Sequence, residues 1–347
     1  MTAHPGARVG PAVAIDIGGT KIHAALVDPP DIDASRGGSE TLHEGNTSAR
    51  GVGAVPRIRG EVLRCPTPAS DGPRAVIDAA SALAQRALDS HGLERPAAVG
   101  VASAGIIDAA TGAVAHATDA LPGWPGTRLR EAVVERFAAP TAVLNDVHAH
   151  GLGEALFGVG AGRASMLMVA VGTGVGGAYV RDGAVDTGAT GAAGHVGHLA
   201  VPEADGLLCS CGRTGHLEAL AAGPAIARLY ARRTRALPHR TAAQTAALTT
   251  REIAQRAADG DELARDCLTL AGRATGRMIG GLLNVLDPAV VAVTGGVAAS
   301  GPIWWAALRD GVAHDAMDAT AATPVLEAAA GEHAALLGAA HAAWNAT

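Results

Sequence analysis

Lysine is all but missing from this sequence: a single one, Lys21, stands against 26 arginines. Aromatic residues are nearly as scarce at 2%, so a core must be built from aliphatic side chains. Only four cysteines occur, Cys65, Cys209, Cys211 and Cys267. That is too few for a disulfide scaffold in a chain of this size and is the usage of a reduced, cytosolic, soluble protein. No apolar run approaches the roughly 18 residues of a membrane span. The start, MTAHPGARVGPAVAIDIGGTK, lacks the charged beginning, apolar stretch and cleavage site of a signal peptide. No basic run exists and the net charge is −6, so nucleic acid is not an expected partner. Glycine and proline, 46 and 18 of 347 residues, stay below the roughly 25–30% of low-complexity chains. What remains is a chain with 48% hydrophobic residues, enough for one large domain or two ordinary ones of about 100–200 residues each.

The pattern along the chain is a short apolar strand followed by a glycine-rich or acidic turn. It occurs at 15–20, 99–105, 143–146, 169–177 and 290–296. Residues 11–17 and 22–27 flank Gly18-Gly19-Thr20 as two strands of a hairpin, without the helix of a dinucleotide fingerprint. Residues 28–60 show no periodicity and are dense in Pro, Gly, Ser and charge. They are expected to form a mobile insertion ahead of a strand at Glu61–Cys65. Helical spacing predicts helices at about 73–91, with Asp71 as N-cap, and at 127–137, 147–157, 223–235, 250–258, 261–285, 302–313 and 332–344. DIGGT and VGTGVGG resemble each other as hairpin turns. This hints at two similar α/β halves, as in an actin-like duplication with nucleotide held between them.

Turns such as Gly18-Gly19-Thr20 and Gly172-Thr173-Gly174-Val175-Gly176-Gly177 present backbone N–H groups with no Cβ in the way, which suits phosphate oxygens. A third, Thr294-Gly295-Gly296, follows another strand. A tight hairpin also requires glycine, so each turn alone is a weak signal, and three at strand ends are a stronger one. Asp16, beside the first turn, is placed to hold Mg²⁺ directly or through water. Lys21 is either a phosphate contact or an ordinary exposed lysine.

His198, Cys209, Cys211 and His216 offer two imidazoles and two thiols with the spacing of a closed tetrahedral Zn²⁺ site. Four protein ligands leave no position for a reactive water, so the role is structural. The alternative is two free cysteines in a histidine-rich loop. Asn145-Asp146 ends a short apolar strand. A carboxylate there suits a general base that accepts the proton of an attacking hydroxyl, although Asn-Asp is equally a helix N-cap.

AIDIGGTK, ND at 145–146, GTGVGG at 172–177, GH and then CSCGRTGHLE at 197–218, and VTGG at 293–296 occur together and in one order. From Ala12 onward the chain resembles the ROK family of sugar kinases. The resemblance implies the actin-like ATPase fold: two similar α/β domains around a cleft, 1–122 plus 332–347 and 123–331, with a zinc-binding loop at 195–218. It implies ATP with Mg²⁺ and, usually, a homodimer. It makes Asp146 the base and assigns the sugar to Gly105, Asn145, Asp146, His195, His198 and Glu218. The nucleotide falls to Asp16, Gly18, Gly19, Thr20, Lys21, Gly172, Thr173, Gly174, Gly176, Gly177, Gly295 and Gly296. The family's zinc site usually has one His and three Cys; here His216 replaces the last Cys. Family regulators carry a helix-turn-helix segment before the kinase-like part, and DIGGT at Asp16 leaves no room for one.

Two departures concern the sugar. The family's NLPGW is ALPGW here, with Ala120 in place of the amide and Asp119 beside it. Glucokinase-like members carry Glu three residues before the zinc-binding His, where this chain has His195 in AGHVGH. AGHxGH is the pattern of bacterial N-acetylmannosamine kinases, and VASAGIID and PTPAS agree with it. An imidazole can donate to the carbonyl of a 2-acetamido group, which a carboxylate cannot. The reading is ATP-dependent phosphorylation of N-acetylmannosamine to its 6-phosphate. The alternatives are a glucokinase or other hexose kinase, and a catalytically silent sugar sensor.

Overall fold

A computed structural model of the chain describes residues 10–30, 55–118, 121–236 and 248–346. Most of the expected insertion at 28–60, together with Asp119 and Ala120, lies outside the described residues. The chain divides into two compact units, 1–164 with 180–193 and 329–347, and 165–179 with 194–328. The first unit therefore reaches beyond the expected 1–122 plus 332–347.

In the first unit β1 (Ala12–Ile17) and β2 (Lys21–Asp28) form the antiparallel hairpin expected from the Gly-Gly turn. β3 (Arg57–Pro66) pairs with β2 and starts four residues before the predicted Glu61, because its pairing with β2 runs out to Asp28 opposite Arg57. α1 (Pro73–Asp89) follows. Its cap position is Gly72, not the expected Asp71, and Pro73 starts the helix with its preset φ. β4 (Ala98–Ser103) runs parallel to β1. β5 (Ile106–Ile107) and β6 (Val114–His116) make a small separate sheet. α2 (Leu129–Phe137), β7 (Thr141–Asn145) and α3 (Asp146–Phe157) complete the run. β7 pairs in parallel with β4, giving the order β3-β2-β1-β4-β7. That pairing is why residues beyond 122 belong to this unit.

A second five-stranded sheet repeats the plan. β8 (Ser165–Val171), β9 (Val175–Arg181) and β10 (Ala184–Val185) lie side by side. After the loop and the helices α4 (Glu218–Ala221), α5 (Gly223–Arg235), α6 (Thr250–Ala258) and α7 (Glu262–Leu286) comes β11 (Val291–Thr294). It is parallel to β8 and, beyond α8 (Pro302–Asp315), to β12 (Val325–Glu327). The order β10-β9-β8-β11-β12 mirrors that of the first sheet. Helix starts are locally encoded: Thr249 and Glu252 form a capping box on α6, and the Asp261 carboxylate accepts from Ala264 N on α7.

α9 (Ala334–Trp344) belongs to the first unit. In β1, Val13, Ile15 and Ile17 join the core with α1 and α2, while Ala12 and Ala14 join the one under α9. Both faces of the strand are buried, which accounts for its continuous apolar sequence. Among the described residues no helix is long and apolar enough to cross a membrane.

Candidate active site

Parallel pairing sets Ile17, Ser103 and Asn145 in one row across β1, β4 and β7. The segments leaving these strands, Gly18 onward, Ala104-Gly105 and Asp146, therefore share one sheet edge, where α/β folds place their ligands. Asn145 does two things there. Its Oδ1 accepts from the N–H groups of Val147 (3.0 Å) and His148 (3.2 Å), capping α3. Its Nδ2 donates to Gly105 O (2.9 Å) and to Asp146 Oδ1 (2.8 Å). The helix cap and the acidic site are one arrangement. Below it, buried Trp124 of the LPGW turn donates from Nε1 to Ser103 Oγ and Ala104 O, each at 3.2 Å, bracing the end of β4.

The Asp146 carboxyl is pushed up from the ordinary 3.8 to about 6. Burial is the main cause and the negative charge of Asp16 the second; the Val147 N–H and the Asn145 amide oppose them. A carboxylate poised near neutral pH is what general-base work requires. Asp16 sits on β1 directly opposite His23 on β2, whose Nδ1 lies 3.8 Å from Asp16 Oδ2. The turn after it is held by Gly18 N donating to Lys21 O (3.0 Å) and by Thr67, whose Oγ1 donates to Gly18 O (2.7 Å). Gly19 is half-buried, while Thr20 and Lys21 are exposed.

In the second unit the turn at 172–174 closes by Gly172 N donating to Gly174 O (2.9 Å), leaving Thr173 and Gly174 exposed. Gly176 and Gly177 continue into β9. Gly172 O accepts from Gly223 N at the start of α5 (2.8 Å). Gly295 has φ 101°, and a Cβ there would stand 2.3 Å from Val171 O. Only glycine lets the Thr294-Gly295-Gly296 turn lie against the end of β8. Two of the three predicted phosphate turns thus meet within this unit.

His198, Cys209, Cys211 and His216 also come together. One ligand atom from each lies within 4.8 Å of all the others. Cys209 Sγ is 3.5 Å from His198 Nδ1, and Cys211 Sγ is 3.2 Å from His216 Nδ1. With metal–sulfur bonds of about 2.3 Å and metal–nitrogen bonds of about 2.0–2.1 Å, tetrahedral S and N ligands stand about 3.6 Å apart. The donor set and its spacing fit Zn²⁺. Cys209 N donates to Arg213 O (2.7 Å), folding the CSCGR segment so that both sulfurs are presented together.

His195 lies on the same loop, its ring stacked on that of His198 with centroids 6.2 Å apart. The Glu218 carboxylate accepts from Val175 N (2.9 Å) and from Ser210 Oγ (2.6 Å). Sequence reasoning missed several neighbours. His150 is one turn beyond Asp146 on α3, and burial lowers its pKa against the opposing charges of Glu154 and Asp16. Its Nε2 is buried without a hydrogen-bond partner among the described residues. The i, i+4 spacing from Asp146 was the available signal. Thr67, His23 and Ser210 carry no such signal, because their contacts are set by tertiary packing.

Residues 54–345 match the ROK family model. The chain is 35% identical to the N-acetylmannosamine kinase of Escherichia coli strain 55989, over 82% of each protein. It is 29% identical to the glucokinase of Streptomyces coelicolor, over 85% of this chain and 84% of that protein. Among solved structures it resembles a ROK hexokinase from Thermus thermophilus at TM-score 0.77 and 30% identity, covering 96% of this chain and 98% of that one. A ROK family glucokinase from Streptomyces griseus, in complex with glucose and AMPPNP, matches at TM-score 0.74 and 28% identity, covering 97% and 100%.

Proposed function

This chain belongs to the ROK family and is an ATP-dependent sugar kinase of the actin-like ATPase fold, and from that premise we propose that its substrate is N-acetylmannosamine, which it converts to the 6-phosphate. The observation that carries the choice of sugar is His195, an imidazole in AGHVGH on the loop of the metal-ligand cluster. Such a ring can donate to an acetamido carbonyl. The 35% identity to an N-acetylmannosamine kinase agrees with it. Glucose is the second reading, favoured by glucokinases related over similar lengths. An ADP-release assay over glucose, mannose, N-acetylglucosamine and N-acetylmannosamine decides between them. The highest kcat/KM is expected on N-acetylmannosamine, and a preference for glucose selects the second reading.

In this reading Asp146 takes the proton of the sugar 6-hydroxyl as that oxygen attacks the terminal phosphorus of ATP and ADP leaves. Phosphoryl transfer asks little else of a protein than positioning and charge neutralisation. Asn145 binds sugar hydroxyls and holds the Asp146 carboxylate through its Nδ2. Gly105, His195, His198 and Glu218 complete the sugar contacts. Backbone N–H groups of the turns at 18–21, 172–177 and 295–296 receive the phosphates, with Lys21 beside the first. Asp16 is the residue that would hold Mg²⁺, which when bound neutralises phosphate charge. His198, Cys209, Cys211 and His216 would hold a structural Zn²⁺ that fixes the loop.

Because Asp146 titrates near 6 and must be ionised to act, kcat/KM is expected to rise as pH passes through about 6 and to level off above it. A pH–rate profile with Mg-ATP saturating checks this. A flat profile from pH 5 to 8 removes Asp146 as the base.

His195→Glu tests specificity. It places an anion where the acetamido carbonyl is proposed to accept, without altering Asp146 or His198. A mismatched polar contact of this kind costs about 1–3 kcal/mol, roughly 5- to 150-fold in rate. kcat/KM is expected to fall by that factor on N-acetylmannosamine and to hold or rise on glucose. Equal losses on both sugars would assign His195 to loop structure.

A further inference from the structure

We propose that Ser210 and Glu218 form a mechanical link from the Cys/His metal cluster to the nucleotide turn at 172–174, so that occupancy of the cluster sets how tightly that turn holds phosphate. The inference rests on the reading of that turn as a nucleotide site and of the cluster as a zinc site. The link is continuous. Ser210 is the residue between the two cysteine ligands, so anchoring Cys209 and Cys211 on one ion leaves the Ser210 backbone little freedom. Its Oγ donates to Glu218 Oε1 (2.6 Å), and Glu218 Oε2 accepts from Val175 N (2.9 Å), the first residue after the turn. Glu218 also opens α4, directly after Leu217, whose N–H donates to Leu199 O beside His198 (3.0 Å). The backbone on the His198 side thus holds the start of α4, while Ser210 on the cysteine side holds the Glu218 carboxylate.

The turn is shaped around it. A Cβ at Gly174 would stand 2.8 Å from Glu218 Oε2, so the carboxylate occupies the space that any other residue would need. An anion beside a phosphate-binding turn is unfavourable unless its charge is satisfied elsewhere. The Ser210 hydroxyl and the Val175 amide do this, holding the carboxylate in place and pinning the C-terminal end of the turn. Without Ser210, one oxygen loses its donor. The carboxylate is then free to move toward the exposed Thr173-Gly174 segment, where it opposes a polyphosphate. Glu218 in this view is a positioning residue for nucleotide as well as a proposed sugar contact, and Ser210 is a positioning residue only.

Ser210→Ala and Ser210→Thr in the full-length chain test this with three measurements: zinc content, the dissociation constant of AMPPNP with Mg²⁺, and hydrogen exchange at the Val175 amide. Ser210→Ala is expected to keep its zinc, to bind AMPPNP roughly 3- to 10-fold more weakly, as partial transmission of one charge-assisted bond implies, and to exchange faster at Val175 while Val169 in β8 is unchanged. Ser210→Thr, which keeps the hydroxyl, is expected to restore both. Stripping zinc from the wild type with a chelator is expected to speed exchange at Val175 as Ser210→Ala does. Wild-type exchange at Val175 in Ser210→Ala overturns the link. Zinc loss in that variant also overturns it, because Ser210 would then support the cluster rather than transmit from it. Failure of the wild type to bind AMPPNP sinks the nucleotide reading of the turn instead, and the exchange measurement still decides whether the link exists.

Discussion

Replacing Asp146 with asparagine is expected to lower kcat by at least about 100-fold, the low end of what a general base contributes, and at the same time to make the protein more stable. The first effect follows from removing the proton acceptor. Asparagine keeps the shape and the Oδ1 that accepts from Val147 N and from Asn145 Nδ2, so sugar affinity should change far less than turnover. The second effect follows from the direction of the pKa. The folded protein raises the Asp146 carboxyl from 3.8 to about 6, so it favours the protonated form. Ionisation costs stability progressively between those values, and the whole cost is present above about pH 6. At 1.36 kcal/mol per unit this amounts to at most about 3 kcal/mol, reduced by whatever solvent reaches the half-buried group. A neutral amide escapes that cost. Thermal unfolding at pH 7.5 should therefore show a higher Tm for Asp146→Asn, with the gap closing toward pH 4. Near-wild-type turnover would remove Asp146 from the mechanism. A lower Tm would mean that the Asp16 repulsion and burial do not govern this group.

Loss of the metal cluster is the other large effect. Protein purified without chelator is expected to carry about one zinc per chain, as four convergent ligands require. Cys209→Ser should lose the metal and lower Tm together. Structural zinc in small domains is worth an apparent 10 kcal/mol or more near neutral pH. Here the loop also leans on Leu217 and Val201 in the core of the second unit, so a partial loss is expected rather than unfolding. Cys65→Ser is the matched control: Cys65 lies next to the last residue of β3 in the first unit and takes no part in the cluster. It should keep its zinc. A wild type that is metal-free, fully active and equally stable would be decisive against the site.

Much of the architecture is written locally. The β1–β2 hairpin follows from IDIGGTK, and α5 and α6 have the bounds their apolar spacing predicts. Type and spacing alone nominated His198, Cys209, Cys211 and His216 as one group, and the fold brings their ligand atoms within 4.8 Å of one another. Other features were illegible for stated reasons. The extra length of β3 comes from a partner strand, not from its own pattern. The reach of the first unit to 164 comes from β7 adding to β4, whereas the turn at 121–126 reads locally like a boundary. The short helix α4 is one turn long, below what periodicity can detect.

The order of residues along the chain sets which chemical groups are available: the glycine turns at strand ends, the Asn-Asp pair, and two cysteines and two histidines within one loop. Tertiary structure decided what those groups are able to do. Asp146 is hard to ionise chiefly because the fold buries it and secondly because Asp16, 130 residues earlier in the chain, is brought near it. Glu218 touches both Ser210 and Val175 only because β8, β9 and the loop fold onto one another. Desolvation, charge–charge energy and hydrogen-bond reach all depend on distance in space, and a strand-and-turn pattern encodes distance only between near neighbours.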